Sequence, residues 1–246
     1  MTYTKCTMAS TERELAGFPR PRLAVDCVVF GVSEVQALEV LLVRRDAPPY
    51  ARRWALPGSF LRIPDETDPG ESLDDAARRT LEEEAGVRGA YLEQLYTFGD
   101  PRRDPRGRVI SVAYYALVRS QDFTARAGRD ASEASWIPIA GLPRLAFDHD
   151  QIVAAALARL TAKIRYAPIG FNLLPPAFTF TQLQGLYEAI LRRPIDKRNF
   201  RKRVLAMGVL RESGETSGGH GRPARLYRFD PAAYERAQRR GVNFEV

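Results

Sequence analysis

The chain has 246 residues and an ordinary globular composition, with 45% hydrophobic and 27% charged residues. It is long enough for one large domain or two small ones, and no apolar run suits a membrane span. The start Met1–Cys6 lacks the apolar core of a signal peptide. Its two cysteines are too few for a disulfide framework, so we expect a cytoplasmic protein.

The formal net charge of +7 is unevenly distributed along the chain. Residues 168–246 hold 14 basic and seven acidic side chains, so the whole excess lies there and the rest of the chain is balanced. This distribution predicts a neutral body and a basic C-terminal module that contacts nucleic acid or another acidic surface.

The first predicted elements are a flexible tail, residues 1–17, and two strands. The β-branched run Leu23–Phe30 predicts a strand, and Leu38–Arg45 predicts its partner. Trp54–Gly58 then predicts a strand end and a turn. This turn leads into the most informative stretch of the chain.

That stretch, Gly70–Val87, predicts a short helix with clear start and stop signals. Ser72 is a good N-cap, apolar residues follow at helical spacing, and Gly86 suits the C-terminal end. Adjacent carboxylates on one face of this helix can hold a hard cation such as Mg²⁺ against a diphosphate. The alternative is an ordinary solvated acidic helix.

The spacing of the segment resembles the Nudix box of nucleoside diphosphate hydrolases. The matching positions hold Glu71, Arg79, Leu81, Glu83, Glu84, Gly86 and Val87. Two positions depart from the box: Thr80 replaces a metal-ligating Glu that helps to activate water, and Asp65 replaces a Gly within the inserted loop Ile63–Pro69. Threonine cannot act as a general base near neutral pH. The resemblance therefore implies a helix retained for its shape and ligand cleft, with weakened or lost chemistry.

Three more strands and a helix are predicted after the box. The strands are Tyr91–Phe98, Arg108–Val118 and Ala134–Pro138, and Asp148 begins the helix. Together these elements fit a Nudix α/β/α sandwich, an α/β fold, over residues 18–166. Residues 167–178 break helix twice with Pro and Gly and predict a linker.

Residues 179–246 predict a winged helix-turn-helix domain. Thr181 is expected to cap the first helix and Asp196 the second, which spans Lys197–Met207. The strands Val209–Arg211 and Arg222–Phe229 then enclose a polar, glycine-rich tip. In this architecture the second helix enters the major groove and the wing tip contacts the DNA backbone or the minor groove.

A degenerate Nudix domain followed by a winged helix resembles the NrtR family of Nudix-related transcriptional regulators, over about residues 18–240. The other segments that carry the resemblance are Leu95–Pro101, Arg106–Tyr115, Phe147–His149 and Lys197–Arg201. The resemblance implies a homodimeric repressor of NAD-metabolism genes that binds a palindromic double-stranded DNA operator. ADP-ribose or a related nucleotide in the Nudix cleft is expected to release the operator. Some relatives control sugar metabolism instead.

The resemblance also implies a set of effector-contacting residues. The expected cleft lining is Arg44, Trp54, Leu56, Phe60, Glu71, Phe98 and Tyr114, with Glu83 and Glu84 as candidate ligands of Mg²⁺. No cofactor is required for regulation. The alternative for Trp54, Phe98 and Tyr114 is a place in the hydrophobic core. His149 is expected to cap or pack rather than catalyse.

The expected DNA contacts fall into two groups. The second helix of the winged domain supplies Lys197, Arg198, Asn199, Arg201 and Lys202, while the wing and a proline-stiffened arm supply His220, Arg222, Arg225, Arg20 and Arg22. Arg198 and Asn199 are residue types that pair with guanine and adenine edges. The wing and arm are expected mostly to neutralise phosphates. The alternative for the helix is a solvated basic face.

Two other functions fit parts of this pattern. One is an active Nudix hydrolase of ADP-ribose or another nucleoside diphosphate derivative, and Thr80 argues against it. The other is a nucleotide-sensing module that docks to a protein, and the basic recognition helix argues against that.

Overall fold

The computed structural model describes residues 19–33, 36–64, 69–123, 131–217 and 223–241, and every structural statement below concerns them. The N-terminal part contains β1 (Arg22–Val32), β2 (Leu38–Arg45), β3 (Trp54–Ala55), β4 (Gly58–Phe60), α1 (Leu73–Ala85), β5 (Tyr91–Phe98), β6 (Val109–Leu117), β7 (Ala131–Pro138) and α2 (His149–Lys163). The C-terminal part contains β8 (Phe178–Thr179), α3 (Phe180–Leu191), α4 (Lys197–Ala206), β9 (Leu210–Thr216), β10 (Arg225–Phe229) and α5 (Pro231–Arg239). None of the described helices is long and apolar enough to cross a membrane.

A mixed seven-stranded sheet lies between α1 and α2. Strand β1 pairs in parallel with β6 and antiparallel with β2 and β4, while β5 extends the sheet beyond β6. Side chains alternate along β1, so Cys27 and Val29 pack on the α1 side and Val28 and Phe30 on the α2 side. The expected α/β/α sandwich is confirmed.

Helix α1 has the start and the end that its sequence predicts. The Ser72 hydroxyl accepts a hydrogen bond from the backbone N–H of Asp75, which caps the first turn. Gly86 adopts a left-handed conformation with φ of 69°, and its N–H closes the last turn on Glu82. A left-handed residue is inexpensive for glycine, which explains this stop.

The segment predicted as a linker packs into the hydrophobic core. It forms a 3-10 helix, Pro168–Leu173, followed by β8, and Ile169 is buried in the core shared with α2 and α3. At Gly170 a side chain would meet Ile164 at 3.1 Å and Leu186 at 3.4 Å. The two parts of the chain therefore share one core, and the domain bounds remain a prediction.

Three features of the winged domain differ from the prediction. Thr179, not Thr181, caps α3, because its hydroxyl accepts from the N–H of Gln182 while the Gln182 side chain accepts from the Thr179 N–H. Strand β9 continues to Thr216, through residues predicted as the wing tip, because it pairs with β10 across a bulge. Helix α5 was not predicted, although Asp230 caps it and Pro231 occupies its first turn.

The core beneath α3 contains one unsatisfied polar atom. The Tyr187 side chain is fully buried, its ring packs 5.3 Å from that of Phe200, and its hydroxyl has no hydrogen-bond partner among the described residues. An unpaired buried hydroxyl costs about 1–3 kcal/mol. We predict that Tyr187→Phe raises the free energy of unfolding by about 1 kcal/mol in urea denaturation.

The matched control is Tyr115→Phe. Tyr115 is also buried, but its hydroxyl donates to Glu93 at 2.9 Å, so the same change is expected to destabilise the protein. Destabilisation by Tyr187→Phe would mean that a bound water satisfies the Tyr187 hydroxyl.

Candidate functional site

A cleft of about 220 Å³ opens where β1, β4, the β5–β6 loop and the start of α2 meet. Its lining is Ala24, Asp26, Arg45, Leu56, Gly58, Ser59, Phe60, Glu84, Arg103, Asp104, Arg106, Val109, Phe147 and His149. Three guanidinium groups, three carboxylates and two phenyl rings thus share one concave surface. Such a surface suits a ligand with an anionic part and a planar part.

The floor of the cleft is a buried ionic network centred on Arg103. Its guanidinium donates to both carboxylate oxygens of Asp148, at 2.7 and 2.9 Å, and to Asp26 at 3.1 Å. Only 4% of the Arg103 side chain is exposed. Asp26 also accepts a hydrogen bond from Ser111 at 2.6 Å. Asp148 begins α2 without capping it by its side chain, because both its oxygens bind Arg103.

His149 closes the network as a neutral acceptor. Burial lowers the pKa of its imidazole, and its Nδ1 accepts the backbone N–H of Leu56 at 2.9 Å. Its Nε2 lies 3.6 Å from an Asp26 oxygen. The ring therefore fixes the loop after β3 against α2, which is the packing role expected from the sequence.

Arginine and aromatic side chains alternate along the rim of the cleft. Arg106 forms a two-point ion pair with Asp104, at 2.7 and 3.0 Å. Its guanidinium carbon lies 5.5 Å from the ring centre of Phe60 and 5.6 Å from that of Phe147. The guanidinium carbon of Arg45 also contacts this surface, 4.9 Å from the Phe147 ring centre.

The structure brings Leu56, Phe60 and Glu84 of the expected residues into the cleft lining. It places Arg45 there rather than Arg44, because neighbouring side chains of a strand point to opposite faces. Arg44 instead donates to Glu133 at 3.2 Å on the protein surface.

Three of the four aromatic residues expected at the cleft, Trp54, Phe98 and Tyr114, lie outside its lining. Trp54 and Phe98 pack against the core on the α2 side. Tyr114 is buried in the core on the α1 side, and its hydroxyl donates to Asp74 at 2.7 Å. These positions correspond to the core alternative considered for them.

Two carboxylates of the box are engaged by arginines. Both oxygens of Glu71 accept hydrogen bonds from Arg79, at 2.6 and 2.8 Å, and these bonds lower the pKa of Glu71. Glu83 pairs with Arg79 at 3.2 Å and with Arg62 at 3.3 Å. Both carboxylates therefore hold α1 to the preceding loop. Residues 65–68 of the inserted loop lie outside the described residues.

The hydroxyl of Thr80 in α1 is hydrogen-bonded within the protein. The side chain is fully buried, donates to the backbone oxygen of Ala76 at 2.7 Å, and lies 2.6 Å from the Ser59 hydroxyl. Of the box carboxylates only Glu84 lines the cleft, and the described segments contain no group of three His, Cys, Asp or Glu residues that could hold a metal. A Nudix domain generally uses Mg²⁺, but these residues do not fit a resident ion.

The second candidate surface is the exposed face of α4. Phe200 and Val204 bury one side of this helix, and Asp196 caps its start by accepting the N–H of Asn199. The rest of the helix exposes Lys197, Arg198, Asn199, Lys202 and Arg203. This arrangement presents a basic recognition helix in a winged helix-turn-helix frame.

The remaining expected DNA contacts lie in different surroundings. Arg201 contacts Phe180 and Tyr227 within the winged domain. Arg225 pairs with Glu212 across the wing at 3.0 Å. Arg20 is exposed, and Arg22 lies 6.0 Å from the Phe60 ring at the rim of the cleft. His220 and Arg222 lie outside the described residues.

Sequence reasoning missed most of the charged cleft residues, although two signals were available. Asp26 is an acidic residue inside an otherwise apolar strand, which predicts a buried partner. The turn Arg103-Asp104-Pro105-Arg106 puts three charged residues in four positions. Phe147 lies in a segment that carries the family resemblance but was not among the expected cleft residues, and its φ of 54° is visible only in the structure.

Together the sandwich, the box helix and the C-terminal hairpin define a Nudix domain joined to a winged-helix domain. A model of the NUDIX domain matches residues 20–156, and a model of the NrtR DNA-binding winged helix domain matches residues 170–229. The chain belongs to the NrtR family.

Three relatives illustrate the similarity. The protein named ADPR responsive transcriptional repressor NtrR from Acinetobacter baylyi is 36% identical, over 89% of this chain and 86% of its own. Shewanella oneidensis NrtR in complex with a 27mer DNA is 38% identical, with a TM-score of 0.73 over 87% of this chain and 95% of its own. The NUDIX domain of that protein in complex with ADP ribose is 36% identical, with a TM-score of 0.53 over 65% and 99%.

The buried network generates a stability prediction. Arg103→Gln leaves Asp26 and Asp148 buried without their cation, which typically costs about 3–5 kcal/mol. We expect a loss of that size in the free energy of unfolding, measured by urea denaturation. The control is Arg102→Gln, whose side chain is 92% exposed and is expected to change stability by less than about 0.5 kcal/mol. Equal effects of the two variants would contradict a structural role for the network.

Proposed function

We propose that this protein is a transcriptional repressor of NAD-metabolism genes that binds a palindromic operator and responds to ADP-ribose or a related nucleotide. The observation that carries the proposal is that the elements bearing two candidate binding surfaces pack in one shared hydrophobic core. The exposed basic face of α4 and the cleft of arginines and phenyl rings both belong to elements that pack in that core.

The DNA-binding part of the proposal rests on α4. Lys197, Arg198 and Asn199 occupy its first turn and are exposed, and this turn reaches base edges when a winged helix docks in the major groove. Arg198 suits guanine and Asn199 suits adenine. Lys202 and the wing residue Arg225 suit phosphate contacts, as do His220 and Arg222 by their sequence positions.

The ligand part of the proposal rests on the rim of the cleft. ADP-ribose combines a diphosphate with a planar base, and the rim combines Arg45 and Arg106 with Phe60 and Phe147. Guanidinium groups bind phosphate oxygens in two-point geometry, and phenyl rings stack on planar groups. The relatives named for ADP-ribose response or bound to it support the same ligand class.

We propose that the cleft binds its nucleotide without hydrolysing it efficiently. Thr80 supplies no carboxylate, and both Glu71 and Glu83 are held by arginines. Glu84 is the box carboxylate in the described lining of the cleft, where Mg²⁺ could contact it together with a bound diphosphate. The hydrolase alternative requires more ligands than this.

We also propose that the active form is a homodimer, joined mainly through the Nudix domains. One small winged domain reads too few bases for operator selectivity. Two copies related by a two-fold axis, with recognition helices about 34 Å apart, match a palindrome in adjacent major grooves.

The decisive experiment titrates a palindromic duplex, selected by this protein from a random pool, with and without ADP-ribose. We expect ADP-ribose to weaken binding about 5- to 150-fold, the usual range of coupling between two sites. Arg45→Ala should still bind the duplex but lose the response. Arg44→Ala is the control, because its side chain faces away from the cleft, and it should respond as the wild type does. Identical titrations with and without ADP-ribose would sink the proposed regulation.

A separate prediction concerns hydrolysis of ADP-ribose in the presence of Mg²⁺. Loss of a general base or metal ligand typically costs about two to four orders of magnitude in rate, so we expect turnover far below the usual enzyme median of about 10 s⁻¹. Thr80→Glu should raise turnover, and Thr80→Gln, which has the same size without the charge, should not. A wild-type turnover near the median would favour the hydrolase alternative.

A further inference from the structure

Arg201 differs from the other basic residues of α4 in its surroundings. Its guanidinium carbon lies 4.4 Å from the ring centre of Phe180 and 5.8 Å from that of Tyr227. Its Nη2 donates a hydrogen bond to the Tyr227 hydroxyl at 3.0 Å. The side chain is solvent-accessible, but its charged end is already committed in the DNA-free protein.

The two aromatic residues belong to the elements that frame the recognition helix. Phe180 begins α3, and Tyr227 lies in the wing strand β10, opposite Phe178 of β8. Both rings are buried and meet edge to face with centres 4.8 Å apart. Arg201 therefore connects α4 to the start of α3 and to the wing at one point.

The remaining basic residues of α4 have no such contacts. Within the described segments, the side chains of Lys197, Arg198, Lys202 and Arg203 make no hydrogen bond or ion pair. At 100° per residue, Arg201 lies about 60° from the buried Val204 on one side and about 60° from Arg198 on the other. It thus occupies the boundary between the buried and exposed faces of the helix.

We infer that Arg201 is a positioning residue that locks the recognition helix to the wing and reads no base itself. The inference rests on the proposed DNA binding. A guanidinium in contact with two aromatic rings gains cation–π attraction that it would lose by turning towards a base. Without the contacts of Arg201 to Phe180 and Tyr227, the helix and the wing no longer meet the duplex at a fixed angle. The protein then loses affinity for all duplexes equally, because the free energy needed to order the two elements is subtracted from the binding free energy.

The test compares Arg201→Ala with Arg198→Ala on the selected palindrome and on a scrambled duplex over a range of salt. Arg201→Ala should weaken binding to both duplexes about tenfold. It should leave the palindrome-to-scrambled affinity ratio and the salt dependence of the affinity unchanged. Arg198→Ala should lower that ratio by about 5- to 150-fold, the usual discrimination of one two-point base contact.

Tyr227→Phe isolates the hydrogen bond from the ring contact. It should weaken binding to both duplexes, but by less than Arg201→Ala does. The double variant Arg201→Ala/Tyr227→Phe should bind no more weakly than Arg201→Ala. This non-additivity is expected of two residues that act through one contact.

Hydrogen exchange measures the lock without DNA. In Arg201→Ala, amide exchange of α4 and β10 should rise, whereas exchange of α1 in the Nudix part should stay at the wild-type rate. Unchanged exchange in α4 and β10 would overturn the inference. A wild type that binds no duplex, with exchange altered as expected, would instead overturn the proposed function alone.

The DNA data offer two further ways to overturn the inference. A fall in the palindrome-to-scrambled ratio for Arg201→Ala would make Arg201 a base reader. A fall of about one unit in the salt slope at constant ratio would make it a phosphate contact.

Discussion

The ion pairs of Arg103 fix the geometry on which the rest of the cleft depends. Burying Asp26 and Asp148 in the middle of the molecule is costly unless a cation and hydrogen bonds compensate both. Arg103 supplies three of those bonds and Ser111 a fourth. Because the partners come from β1, the β5–β6 loop, β6 and the start of α2, their spacing sets how far the cleft walls stand apart.

Helix α2 carries this geometry to the winged domain. It begins at the cleft, directly after Phe147, and its 15 residues span about 22 Å. Near its far end Thr161 donates to the backbone oxygen of Ile190 in α3, and Ile164 packs against Gly170. Glu93 of β5 binds Lys163, so the same end is also tied to the sheet. One rigid element thus contacts both the ligand cleft and the helix that supports α4.

Local sequence signals predicted the elements well where a single periodicity decided the outcome. Strands β2 and β5 have their predicted bounds, and Ser72, Gly86 and Asp196 cap their helices as expected. The cleft was harder to predict, because a one-residue error on a strand reverses a side chain, as for Arg44 and Arg45. The packed linker and the Arg103 network depend on contacts between residues far apart in sequence, which periodicity does not encode.

Thr80 adds no charge to the surroundings of the cleft. The lining holds Asp26, Glu84 and Asp104 against Arg45, Arg103 and Arg106, and burial keeps His149 neutral. A glutamate at the buried position 80 would need a cation or hydrogen bonds to compensate its charge. The threonine hydroxyl satisfies itself on Ala76 and Ser59 and needs no cation. The residues that line the cleft therefore include as many guanidinium groups as carboxylates, and a phosphate entering it meets guanidinium groups as its cationic partners.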